Sequence, residues 1–266
     1  MSRIGPMFDA LKEEGRAAFI PYITAGDPSL DQTSAVLDAL VEAGADLIEL
    51  GMPFSDPMAD GPTLQAAAQR ALKNPIRTEN ILGLVKRFRK KHDTPLILFG
   101  YYNPVFIYGE ARLVKDAKAA GADGFLIVDL PPDEGEDLRY EASKEKMNVI
   151  YLLAPTSTPA RRRFIAERAS GFIYYVSVTG VTGARDKMRA DIGRHVAEIR
   201  KVSSLPIAVG FGISTPEHVR EVAGIAEGVV VGSAIVKVIE RIGDKPELAD
   251  EVGAFARSLK SGIVTK

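Results

Sequence analysis

The sequence has no cysteine, no tryptophan and only three histidines in 266 residues. Without a thiol, disulfides, thiolate metal sites, cysteine nucleophiles and CxxC redox chemistry are all excluded. It also lacks an excess of either charge, with 34 Lys plus Arg against 35 Asp plus Glu and a formal net charge of −1. That balance leaves no electrostatic footprint for nucleic acid or an anionic membrane. The basic clusters Lys86-Arg87, Arg89-Lys90-Lys91 and Arg161-Arg162-Arg163 fall in helix-like segments and read as solvated helix faces. No apolar run approaches the ~18 residues of a membrane span, and the stretch from Val229 to Val236 stops at Lys237. With no signal-like leader in view, the expected location is the cytoplasm.

What is present is an ordinary globular composition, 46% hydrophobic and 26% charged. Short apolar runs rich in β-branched residues recur at 19–24, 47–51, 96–101, 124–128, 148–153, 172–177, 206–210 and 228–231. Amphipathic helical patterns lie between them at 32–43, 112–120, 160–168, 192–202 and 216–226. Strand and helix alternate with no Pro/Gly/Ser-rich linker dividing the chain, so a doubly wound open sheet is less economical than one closed barrel. The expectation is an α/β protein, a single (β/α)8 TIM barrel over residues 1–266. An extra N-terminal helix, with Ile4, Met7, Phe8 and Leu11 at helical spacing, would cap the barrel bottom. The phrase Ala-Gly-Ala-Asp occurs at 43–46 and 120–123, where glycine suits a left-handed helix stop before the next strand.

Chemistry should sit at the strand C-terminal ends. Glu49 is the one strongly charged residue in the strand segments, and alternation places it opposite in facing to Ile48 and Leu50. Pointing into the barrel mouth, it would be desolvated, with a raised pKa suited to giving and taking a proton near neutrality. The alternative is a salt bridge at the rim. Asp60 and Asp56 follow on a proline-stiffened loop that can return a second carboxylate over the first, or serve as plain turn formers. Asp129, beside Pro131-Pro132, reads either way too. Gly210-Phe211-Gly212 after the seventh strand and Gly232-Ser233 after the eighth lie where phosphate-binding barrels offer backbone N–H groups. Ser233 is the expected N-cap there, and Gly183 could add a further N–H. A dinucleotide fingerprint does not fit, because Thr215 occupies the third glycine position. His92, His195 and His218 belong to helices and no lysine falls in a strand, so neither a metal site nor a Schiff base is expected.

These residues resemble a known family. Phe19-Ile20-Pro21-Tyr22-Ile23-Thr24-Ala25-Gly26-Asp27-Pro28, the run from Ile48-Glu49-Leu50-Gly51-Met52-Pro53 through Asp60-Gly61-Pro62, Gly180-Val181-Thr182-Gly183-Ala184 and Val209-Gly210-Phe211-Gly212-Ile213 are similar to signature segments of the tryptophan synthase alpha chain. The resemblance implies a lyase that cleaves indole-3-glycerol phosphate to indole and glyceraldehyde 3-phosphate, the alpha reaction of L-tryptophan biosynthesis. It assigns Glu49 as acid/base and Asp60 as the carboxylate facing the indole nitrogen. Phosphate would meet Gly183, Gly212, Gly232 and Ser233, with Thr182 on a closing lid. Tyr22, Tyr102, Ile127, Asp129 and Tyr174 would surround the indole. It implies no cofactor in this chain, but a beta-chain partner that uses pyridoxal phosphate, receives indole through a tunnel and completes an alpha2-beta2 tetramer. Contacts are expected near Asp56, Asn103-Pro104-Val105-Phe106 and Pro131-Pro132. Two other readings compete: a phosphate-sugar isomerase or epimerase built on the same glycine turns, and a non-catalytic barrel that activates a partner enzyme.

Overall fold

A computed structural model describes residues 2–177, 185–210 and 212–265. The first half runs α1 (Ile4–Glu13), β1 (Ala18–Thr24), α2 (Leu30–Glu42), β2 (Ile48–Gly51), α3 (Pro62–Ala71), α4 (Thr78–Arg89), β3 (Leu96–Gly100), α5 (Tyr102–Tyr108), α6 (Glu110–Ala120) and β4 (Gly124–Ile127). The second runs α7 (Glu136–Lys144), β5 (Asn148–Leu153), α8 (Pro159–Ala166), β6 (Ile173–Val176), α9 (Arg185–Arg200), β7 (Ile207–Gly210), α10 (Pro216–Ala223), β8 (Gly228–Val231), α11 (Ser233–Ile242) and α12 (Leu248–Lys260). Every strand pairs in parallel with its sequence neighbour, and β8 closes on β1. This is the TIM barrel expected from the strand count, with α1 as the extra helix.

Local chemistry sets the helix bounds. Ser29 accepts from the Gln32 amide, which starts α2 at Leu30 rather than at the expected residue 32. Thr158 and Thr215 cap α8 and α10 in the same way, each followed by proline at the first helical position. The C-cap Gly224 ends α10 at Ala223, short of the expected residue 226. Gly44 and Gly121, in the repeated Ala-Gly-Ala-Asp phrases, take φ of +90° and +100°, a conformation that favours glycine.

Parity along the strands divides the core in two. Ile48, Leu50, Leu98, Phe125 and Val209 face the helices, whereas Ile20, Leu47, Ile97, Leu126, Ile150 and Phe172 fill the barrel interior with Ile4, Phe8 and Leu11 of α1. The Phe8 and Phe172 rings approach with centroids 5.8 Å apart. An apolar plug therefore closes the lower barrel, and the upper end is left for a site.

The lower rim is strapped by a device that the sequence shows only twice. The Asp46 amide donates to Phe19 O at 2.9 Å, and the Phe19 amide donates back to Asp46 Oδ2 at 2.8 Å. Asp123 does the same with Leu96, Ser170 with Val149, and Glu227 with Ile207. One polar side chain thus ties β1 to β2, β3 to β4, β5 to β6 and β7 to β8. Each strap gives a partner to an amide at the first or second residue of a strand, where a backbone donor would otherwise be left unpaired. Only Asp46 and Asp123 carry the recognisable phrase.

Candidate active site

Glu49 sits in the middle of β2 with its side chain inside the barrel, since Ile48 and Leu50 belong to the helix-facing core. It is 1% exposed, and its Oε1 has no hydrogen-bond partner among the described residues. Burial alone pushes its carboxyl up to about 8. A salt bridge at the rim, the alternative open from sequence, is not formed among the described residues. At neutral pH the group is a protonated acid in an apolar shaft, able to give a proton upward.

Asp60 returns over the barrel mouth on the loop between β2 and α3. Its amide donates to Pro57 O at 3.0 Å, and Gln65 Nε2 donates to its carbonyl at 2.8 Å, which fixes the turn. The Tyr101 hydroxyl accepts from the Ala59 amide at 3.0 Å and hydrogen-bonds the Asp60 carboxylate. Burial raises Asp60 to about 6, with the Tyr101 bond pulling the other way. The two acids are therefore held in opposite states at neutral pH, Glu49 protonated and Asp60 ionised. Environment has separated a matched pair into two roles.

Tyr22 lies in register with Glu49 on the adjacent strand. Its ring meets Phe99 edge-on at 5.1 Å, and its hydroxyl lies 3.2 Å from Thr24 Oγ1. Burial first, and then the charges of Asp60 and Glu49, push the Tyr22 hydroxyl far above its usual range. Tyr174 is shifted upward by burial and by Glu49. Both rings need glycine on the neighbouring strand. A Cβ at Gly51 would lie 2.2 Å from the Tyr22 hydroxyl oxygen, and one at Gly210 would lie 2.1 Å from that of Tyr174.

A cavity of about 590 Å³ joins these groups to the glycine turns. Tyr22, Glu49, Asp60 and Tyr174 line it together with Gly212, Gly232 and Ser233. Gly212 takes φ +74°, and Gly232 rather than the expected Ser233 is the N-cap of α11. The first intrahelical bonds run from the Ile235 and Val236 amides to Gly232 O, so the amides of Ser233 and Ala234 precede the helical ladder and are available to an anion.

Three expected indole contacts are placed elsewhere. Ile127 packs in the helix-facing core, because strand parity turns Leu126 and Val128 inward instead, and Val128 lines the cavity. Tyr102 begins α5 and donates its amide to Asp129 Oδ1 at 2.7 Å, so the two engage each other at the rim and not the cavity wall. It is Tyr101, one place earlier, that reaches Asp60. Thr182 and Gly183 lie outside the described residues. Sequence reasoning did not single out the wall residues Val128, Leu152, Val176 and Lys237. For the first three the signal was available, since each shares the inward parity of an interior neighbour two residues away.

Fold and site together define a (β/α)8 barrel whose upper cavity joins a carboxylate pair of divided protonation to glycine turns with free backbone amides. The family model for the tryptophan synthase alpha chain matches residues 8–264. The chain is 50% identical over 263 residues to the tryptophan synthase alpha chain of Geobacter sulfurreducens, covering 99% of both chains. It is 52% identical over 264 residues to that of Geotalea uraniireducens, covering 99% of this chain and 98% of the relative. Among solved structures, tryptophan synthase subunit alpha from Legionella pneumophila superposes with a TM-score of 0.91 at 40% identity over 98% of both chains. Tryptophan synthase from Mycobacterium tuberculosis gives 0.89 at 35% identity, again over 98% of both. The chain belongs to the tryptophan synthase alpha chain family. It is accordingly a carbon–carbon lyase that cleaves indole-3-glycerol phosphate to indole and glyceraldehyde 3-phosphate, and family membership implies a beta-chain partner.

Proposed function

We propose that Glu49 performs both proton transfers of this cleavage and that Asp60 holds the charge between them. The protonated Glu49 carboxyl delivers its proton to C3 of the indole, converting the ring nitrogen into an iminium-like cation. The Glu49 carboxylate so formed takes the proton of the hydroxyl on the glycerol carbon bonded to C3. The C–C bond then breaks: its electrons neutralise the iminium and restore indole, and the hydroxyl carbon becomes the aldehyde of glyceraldehyde 3-phosphate. Protons balance, and Glu49 ends as it began. Asp60, ionised at neutral pH, stabilises the positive nitrogen. The substrate supplies its own electron sink, which makes a catalytic lysine or metal unnecessary.

The observation that carries this reading is the unpartnered Glu49 Oε1 at the floor of the cavity that also reaches Gly212, Gly232 and Ser233. Those backbone groups, with Gly183, are proposed to anchor the phosphate, while Tyr22 and Tyr174 flank the indole and Thr182 serves the lid. Ile127, Tyr102 and Asp129 have at most an indirect part. The partner is proposed to dock on the face where Met58, Phe106 and Ile107 are 91%, 67% and 75% exposed, around a groove of about 420 Å³ lined by Pro53, Phe54, Asn103 and Pro104. Large apolar side chains left exposed beside a groove, as Ile107 is here, favour a protein interface. An alpha2-beta2 assembly with pyridoxal phosphate on the beta chain, acting in the cytoplasm, completes the proposal. No helix among the described residues is long and apolar enough to cross a membrane.

Indole release from indole-3-glycerol phosphate, measured with and without a beta chain, tests the assignment. Glu49→Gln should retain substrate binding and lose about 10²–10⁴ in turnover. Full turnover in that variant refutes the mechanism.

A further inference from the structure

Lys237 is the only Lys, Arg or His among the described residues that line the catalytic cavity. It lies one helical turn beyond Ser233 on α11, and residues four apart share a helix face. Side chains on a helix lean toward its N-terminus, so an α11 side chain at 237 covers the turn that begins at Ser233. No ion pair engages its ammonium among the described residues. Its neighbours differ in this respect, since Glu240 takes Arg70 at 2.9 Å and Arg241 takes Glu251 at 3.3 Å. The wall it joins is otherwise acidic: among the described residues its only carboxyl groups are Glu49, protonated at neutral pH, and the ionised Asp60. A phosphate dianion entering beside an ionised Asp60 meets repulsion that neutral backbone amides offset only in part.

We infer that Lys237 is a phosphate-recognition residue of this cavity, its ammonium reaching back along α11 to pair with the substrate phosphate held at Gly232 and Ser233. The inference deepens the proposed phosphate site and rests on it. Lys237 takes no part in the proton transfers. It sets affinity and selects phosphorylated over unphosphorylated indole alcohols.

Binding of sn-glycerol 3-phosphate to the full chain by calorimetry tests this without turnover. Lys237→Met, which keeps the aliphatic stem, should raise the Kd about tenfold, or about 1.4 kcal/mol. Lys237→Arg should restore most of the loss, and the Met variant should show a shallower dependence of Kd on salt. In turnover, KM for indole-3-glycerol phosphate should rise by a similar factor while kcat stays within about twofold. Affinity for an uncharged 3-alkylindole alcohol should not change. An unchanged glycerol phosphate Kd in Lys237→Met overturns the inference. Equal weakening of the uncharged ligand also overturns it, because the lysine would then act only through the packing of α11. If the wild type itself binds glycerol phosphate no better than glycerol, the phosphate site fails first, a distinguishable result.

Discussion

Glu49→Gln should stabilise the ligand-free protein in alkaline solution, and the size of the effect follows from the barrel interior. The Glu49 carboxyl titrates near 8 in the fold and at 4.5 in its ordinary state, because burial removes water from the charged form and no donor among the described residues replaces it at Oε1. Between these two values the folded chain binds a proton that the unfolded chain has released. Stability therefore falls as pH rises through that window, at about 1.4 kcal/mol per pH unit, and levels off above the folded value. The full span is roughly 5 kcal/mol, a large fraction of the stability of a typical domain. Glutamine has nearly the same shape and no titration. The stability difference between Glu49→Gln and wild type should thus grow by roughly 4 kcal/mol between about pH 5 and about pH 8.5. Urea unfolding of both proteins at the two pH values measures it, and the titration of all groups not coupled to Glu49 cancels in the comparison. A pH-independent difference would mean that Glu49 is solvated or paired, and the reasoning from its buried, unpartnered oxygen would fail.

Two further outcomes follow from the same groups. The pH profile of kcat/KM should be a bell, rising through about 6 as Asp60 ionises and falling through about 8 as Glu49 loses the proton it must donate; a flat profile across that range would contradict the division of roles. Tyr101→Phe removes the hydroxyl that favours the ionised Asp60 and accepts the Ala59 amide, so the acid limb should move to higher pH and turnover should fall about tenfold. An unshifted limb in that variant would show that Tyr101 does not position Asp60.

The strand order, the barrel closure and the plugging role of α1 were legible because they depend on periodicity, which is local. The inward facing of Glu49 was legible for the same reason. Which of Tyr101 and Tyr102 reaches Asp60 was not, because the strand ends at Gly100 and the chain turns into α5 at Tyr102, so parity no longer applies across that step. Ile127 was misplaced by one residue on a strand whose inward set is Leu126 and Val128, and there parity would have corrected it. Lys237 was overlooked because an exposed lysine on a helix is ordinary in sequence. Only the meeting of α11 with the cavity gives it meaning.

Burial alone does not distinguish the acid we propose as catalytic from a structural one. Glu49 and Asp123 are each 1% exposed. Asp123, on the lower rim, receives the Leu96 amide at 3.0 Å, Arg3 at 3.1 Å and Arg89 at 3.1 Å, and so is surrounded by donors that hold it in place. Glu49, higher in the barrel, has a carboxyl oxygen that no donor among the described residues reaches. A fold can tolerate an unpaired buried carboxyl only by protonating it, and a carboxyl kept protonated near neutrality is an acid that a substrate can use. The strapped rim matters to that chemistry. With four polar ties and an apolar plug closing the lower end, no described donor can reach Glu49 from below, and its proton has one direction to go.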